Sequence, residues 1–208
     1  MLVLYDNPLS SNALKVRFLL AEFGLPYERV QVSFARPRPE WLTDFHPFGT
    51  IPALVDGELR LGESNAILRY LARREGRSDL YPSDARMAAR VDWLLDTWSM
   101  HTRPALHALE DAAIFFDGGE RVGALEDADA EAVAAATGPA VEALTRYERL
   151  VSDNGSVAGS FTIADCAVGP ALWRTTRLPL EFERWPRLER IRDAVASRDS
   201  FRRAEPVA

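Results

Sequence analysis

The sequence predicts an α/β domain followed by an all-helical domain, on three observations. Short apolar runs of strand type crowd the stretch before Gly76, a helix-period segment separates the first two of them, and strand signals nearly vanish beyond the "GRSDLYPSD" stretch. The length of 208 residues fits two small domains. With 47% hydrophobic and 27% charged residues the chain belongs to the globular class and not to the disordered, collagen-like or coiled-coil ones.

The first element is "MLVLYD", a strand-type run that "PLSS" ends with turn and N-cap residues. A helix is then expected over Asn12–Phe23, because Val16, Leu19, Leu20 and Phe23 recur at i, i+3, i+4 and i+7 and Gly24 follows in the C′ position. "ERVQVSF" alternates as a second strand. Strand, crossover helix, strand makes the two strands parallel neighbours. "ARPRPEWLTDFHPFG" reads as a loop holding one short helix, and "IPALVDGELRLG" as a hairpin around Asp56-Gly57. "ESNAILRYLARREG" is a helix with Ile67, Tyr70 and Leu71 on one face, so the order βαβ-α-ββα closes a first domain over residues 1–76.

Residues 77–84, which follow Gly76 and hold two Ser and one Pro with little apolar periodicity, are expected to form the linker. In the helical domain, 85–208, Val91, Leu94, Leu95 and Trp98 share one stripe, and Val141, Leu144 and Leu150 or Val151 another; both read as core faces. "DGGERVGALEDADAEAVAAATG" reads as a solvated loop and helix start. "TIAD", Thr162 to Asp165, fits a capping box, so a buried helix is expected to start at Thr162.

A net charge of -6 without a cationic stripe argues against nucleic acid as a partner. No apolar run approaches the ~20 residues that span a bilayer, and the opening lacks the basic region and apolar core of a signal peptide, so no membrane association and a cytoplasmic location are expected. The one cysteine, Cys166, has no Cys or His partner at metal-ligand spacing; it reads as a buried small hydrophobe, and no metal is expected.

Four stretches in order resemble the cytosolic glutathione transferases: "LYDNPLSSNALKVR", "HPFGTIPALVDG", "LGESNAILRYL", and "FTIADCAV" with "WPRLERIRDAVASRDSFRRA". The resemblance spans almost the whole chain. It implies a thioredoxin-like first domain, glutathione as co-substrate, a small hydrophobic electrophile as second substrate, a homodimer, and conjugation as the activity. With Ser-x-Asn-x-x-[Lys/Arg]-Val as the matching frame, the family's catalytic serine falls on Ser10, with Ser11 as the alternative. Asn12, two residues on, would be a second donor, or a plain polar residue of the first turn. The Ile51-Pro52 bond would be cis, as in the family, and present the Ile51 backbone to the tripeptide like an added strand. Glu63 and Ser64 would hold the γ-glutamyl end. His46 stands where many bacterial members have Asn, and Thr50 where a Lys or Gln often helps hold the tripeptide's carboxylates. The electrophile's pocket is expected between the loop around Leu9 and the helix from Trp98 to Phe116. Two other readings stay open: a glutathione-dependent isomerase of the zeta type, whose Cys is replaced here by Asn12, and a non-catalytic interaction module.

The chemistry asked of the serine is specific. A thiol with a pKa of about 8.5 is only slightly ionised at neutral pH. Lowering it by about 2 units takes roughly 2.7 kcal/mol, within reach of one charge-assisted hydrogen bond aided by a helix N-terminus. The serine would be a donor to sulfur, not a nucleophile needing a base. Either serine could instead be no more than the helix cap.

Overall fold

In the computed structural model, described over residues 1–113, 116–117, 120–121 and 128–204, β1 (Leu2–Asp6) pairs in parallel with β2 (Tyr27–Gln31). The crossover is α1 (Ser11–Phe23), closed by Gly24 in the left-handed conformation, φ 65°, a position that favours a residue without Cβ. After α2 (Glu40–Thr43), β3 (Ala53–Asp56) runs antiparallel to β1 on its other side and β4 (Leu59–Leu61) antiparallel to β3, giving the order β2-β1-β3-β4. Asp56 pairs with Leu59, so the hairpin loop is Gly57-Glu58, one residue beyond the Asp56-Gly57 pair, and Gly57 takes φ 60° at its first position. α3 (Ser64–Arg74) completes this layer and packs on α1.

The second half is built of helices: α4 (Ala85–Thr97), α5 (Arg103–Ala113), α6 (Ala130–Glu148), α7 (Ile163–Arg174), α8 (Pro186–Ala196) and α9 (Asp199–Ala204). The backbone of Phe116–Asp117 and Glu120–Arg121 forms a two-residue-long hairpin, β5 and β6. Residues 118–119 and 122–127 of the expected solvated loop lie outside the described residues; its expected helix begins at Ala130, capped by Asp129. Val91, Leu94, Leu95, Trp98 and Leu144 are core residues as their periodicity implies, and α6 adds Ala140 and Tyr147, whose hydroxyl donates to Leu94 O at 3.0 Å.

Two helices are buried on more than one face. α1 lies between the sheet and α7 and α9, so Lys15 and Arg17 are buried along with Val16, Leu19 and Leu20. α7 is buried from Ile163 to Leu172; Thr162 caps it, Asp165 reaches back to the Thr162 N–H at 2.8 Å, and Gly169 leaves room for Val195 of α8, which an added Cβ would meet at 2.6 Å. Cys166 is fully buried there, and burial pushes its thiol pKa up.

Between α4 and α5 the helix widens for one turn, Trp98–Thr102, and the Arg103 N–H donates back five residues to Trp98 O. Pro104 has no N–H for the Met100 carbonyl, and its ring crowds the turn before it. The wider turn relieves both, and one extra residue rotates the side chains of α5 by about 100° relative to those of α4. Trp98 thereby stays in the core while Arg103, His107 and Glu110 turn toward a cavity under the β1–α1 corner.

Candidate functional site

The corner is pinned from below. Asp6 is fully buried and accepts Arg17 Nη1 at 2.7 Å on both oxygens and Arg29 Nε at 2.7 Å. Arg17 also donates to Asn7 O, Pro8 O and, from the far end of the chain, Ala204 O at 3.0 Å. The Asn7 side chain donates to Val32 O and accepts from the Leu9 N–H, each at 2.9 Å. Arg174 donates to Leu9 O from the other side. A loop with so many fixed points presents the start of α1 in one geometry.

Ser10 is the N-cap of α1: its Oγ accepts the Ala13 N–H at 3.2 Å. Accepting uses a lone pair and leaves the O–H free to donate, so cap and donor are compatible roles for one hydroxyl. Ser11, the first helical residue, is engaged differently, because its Oγ accepts Arg103 Nη2 at 2.8 Å. Ser10, Ser11 and Asn12 line one cavity of about 330 Å³, with Thr50 and Ile51 across from them. The Ile51-Pro52 bond is cis, and Pro52 sits buried behind it.

Glu63 and Ser64 are not among the residues lining that cavity; they stand at the head of α3, and Glu63 holds φ 59°. A chain of contacts ties them to it. His46 Nε2 is 2.6 Å from Thr50 Oγ1, and its ring lies so close over Gly62 that a Cβ there would come within 2.5 Å. The residue in place of the family's Asn is therefore a spacer between the cis-proline loop and the Glu63 turn. Arg38, missed in the sequence because it sits in a proline-rich loop, also lines the cavity. Its Nε donates to Gly49 O at 3.0 Å, while its buried Nη1 has no hydrogen-bond partner among the described residues.

The far wall comes from the loop around Leu9 and from within the Trp98–Phe116 stretch, as expected, although Trp98 itself is fully buried in the core. The side chain of Phe116 lies outside the described residues. What faces Leu9 is polar: Arg103, His107, Glu110 and Asp111 from α5, and Arg174 from α7. Arg103 Nη2 bonds Glu110 Oε2 at 2.7 Å and His107 Nδ1 lies 2.8 Å from Asp111 Oδ2. Under this wall Lys15 is buried, and desolvation, then Arg103, lower its pKa to about 7 against the pull of Glu63 and Glu110. Among the described residues no three His, Cys, Asp or Glu side chains gather as a metal site, and no helix is long and apolar enough to cross a membrane.

Comparison with known proteins bears on the family and the fold. Residues 1–73 match the model of the glutathione S-transferase N-terminal domain and residues 130–194 that of the C-terminal domain. Glutathione S-transferase 3 of Zea mays is 36% identical over 215 residues, covering 97% of this chain and 92% of the maize protein. The maleylacetoacetate isomerase of Pseudomonas aeruginosa is 30% identical over 213 residues, covering 98% and 95%. A theta class glutathione S-transferase from Xanthomonas axonopodis pv. citri, solved with glutathione bound, superposes with a TM-score of 0.85 at 25% identity, covering 100% and 98%. With its thioredoxin-like sheet, its helical second half and a full-length relative at this identity, the chain belongs to the glutathione S-transferase family.

Proposed function

We propose that this glutathione S-transferase activates glutathione by a hydrogen bond from Ser10 and transfers the thiolate to an electrophile held against α5 and α7. One observation carries the reading. Ser10 Oγ stands at the N-terminus of α1 inside the cavity, with its acceptor side taken by the Ala13 N–H and its proton free. The helix end favours negative charge at that point. Asn12 is the second donor to sulfur. Ser11, bound to Arg103, orients the far wall instead.

The rest of the tripeptide runs along the cavity edge. Ile51 offers its backbone beside the cis Pro52, in the manner of an added strand. Thr50 and the unpartnered Arg38 Nη1 take the glycyl carboxylate, so Arg38 supplies the charge that a Lys or Gln at position 50 would give. Glu63 pairs with the γ-glutamyl ammonium, and Ser64 with the first N–H groups of α3 takes its carboxylate. Two copies are proposed to associate, first domain against helical domain. Phe48 is 77% exposed on the first domain, and a groove of about 480 Å³ opens on the helical one between Thr97–Thr102 and Pro139–Arg146.

The test is a pH–rate profile with a thiolate absorbance titration. Ser10→Ala is expected to raise the pKa of bound glutathione by about 1–2 units and to lower kcat/KM at pH 7 by roughly 10-fold or more, recovering at high pH. A shift in Ser11→Ala but not Ser10→Ala would move the donor role to Ser11. Isomerisation of a glutathione adduct is the second reading: the isomerase relative favours it, and Asn12 in place of a thiol weighs against it.

A further inference from the structure

Ser10 stands between two residues that the second half of the chain holds. On one side the Leu9 carbonyl accepts Arg174 from the end of α7, and on the other Ser11 Oγ accepts Arg103 Nη2 from the start of α5 at 2.8 Å. Both arginines turn to one carboxylate: Glu110 Oε2 lies 2.7 Å from Arg103 Nη2 and 4.0 Å from Arg174 Nη1. Arg103 and Glu110 are seven residues apart on α5, about two turns along one face, and both are buried. Burial lowers the Arg174 pKa to about 10, and the Glu110 carboxylate pulls it back up. The bonds of Ser10 itself are local, its N–H donating to Asn7 O at 3.0 Å and its Oγ accepting the Ala13 N–H at 3.2 Å. Where its hydroxyl points therefore follows from how firmly the chain on either side of it is held.

We propose that Glu110 is a positioning residue for thiolate formation: through Arg103 and Arg174 it clamps both neighbours of Ser10 and so fixes the direction of the hydroxyl toward sulfur. This rests on Ser10 as the donor. A hydrogen bond weakens steeply as its angle opens, and misplacing a group by about 1 Å can cost roughly 100-fold in rate. One nitrogen of Arg103 carries the bonds to both Ser11 and Glu110, so the carboxylate aims the guanidinium at the serine it holds. A buried guanidinium that loses its counter-charge is an uncompensated ion and moves to find water or another partner. Because both arginines share Glu110, loss of that one carboxylate frees the chain on both sides of Ser10 at once. Ser11 and the far wall thus orient each other, and the helical half sets the acidity of a thiol bound on the first domain.

The experiment is a thiolate absorbance titration of bound glutathione in a double-mutant cycle with Ser10→Ala. Arg103→Met and Glu110→Leu, which keep apolar volume, are each expected to raise the thiol pKa by about 0.5–1 unit and to lower kcat/KM at neutral pH by about three- to tenfold. With Ser10→Ala already present most of that shift should vanish, since the hydroxyl that the clamp aims is gone. Charges acting on sulfur through space behave otherwise: removing Glu110 lowers the thiol pKa, removing Arg103 raises it, and both shifts persist without the hydroxyl. A lowered pKa in Glu110→Leu, no shift in Arg103→Met, or shifts of equal size with and without the Ser10 hydroxyl would each overturn the clamp and leave the Ser10 reading standing. A Ser10→Ala protein whose bound thiol titrates as in the wild type would overturn that reading, and the clamp with it. Circular dichroism melts establish that each variant is folded; should Glu110→Leu not fold, the Arg103→Met cycle decides alone.

Discussion

Lys15 and Glu63 each hold a state that the fold alone does not favour. The Lys15 pKa, lowered to about 7 in the native protein against 10.5 for a free lysine, means that between those values the unfolded chain binds more protons. Stability from this residue therefore rises with pH from about 7 toward 10.5, and the full cost of the buried charge is felt below 7. Lys15→Met is expected to raise Tm at pH 6, by an amount equivalent to roughly 2–5 kcal/mol, and the gain should shrink at pH 9.5. Thermal melts of both proteins at the two pH values check this. Glu63 at φ 59° and ψ 110° lies where a side chain is strained, at a cost of about 1–3 kcal/mol. Glu63→Gly should raise Tm by a few degrees while raising KM for glutathione, a trade visible by pairing calorimetry with kinetics. A variant both less stable and unchanged in KM would contradict the role given to this turn.

The elements divide by how local their causes are. α1 was legible almost to the residue, since its apolar period, its serine cap and its terminal Gly24 all lie within one short window. The parallel β1–β2 pair, the β3–β4 hairpin and the capping box of α7 were legible for the same reason. The wide turn at Trp98–Thr102 was not. A Pro in a helical pattern signals a disturbance without saying whether the helix breaks, kinks or widens, and the 3.6-residue stripe through Trp98 gave no hint that Arg103 faces the cavity. Nor was the contact of Arg103 with Ser11, which joins residues 92 apart in sequence. At the site, the cluster of Ser10, Ser11, Asn12, Thr50 and Ile51 came from motif resemblance, whereas the spacer role of His46 depends on a glycine sixteen positions away. Gly62→Ala tests that spacer. The His46 ring must move, the 2.6 Å contact with Thr50 is lost, and KM for glutathione should rise several-fold with little change in kcat.

At the scale of the whole molecule, the sheet and the helices share one core. Among the described residues one cluster of buried side chains runs from Leu2 of β1 through Leu94 and Val168 to Ala204 of α9, and Val32, Leu42, Ile51 and Ala53 form a separate group. For the proposed dimer, Phe48→Asp is expected to give a monomer in light scattering at micromolar concentration, because it removes the exposed apolar ring proposed to fill the Thr97–Arg146 groove. A variant that remains dimeric would place the contact elsewhere. Arg17, finally, ties the timing of synthesis to the site. Its Nε is satisfied by Ala204 O, 187 residues downstream, and the same guanidinium holds Asp6, Asn7 and Pro8 in place beneath Ser10. On the ribosome the corner that presents the serine is made first, yet its buried cation waits for nearly the last residues described before its fork is filled. Until α9 docks, a nascent chain is thus free to bury its sheet but cannot yet hold the corner beneath Ser10 rigid, and truncation from the C-terminal side should cost activity before it costs secondary structure.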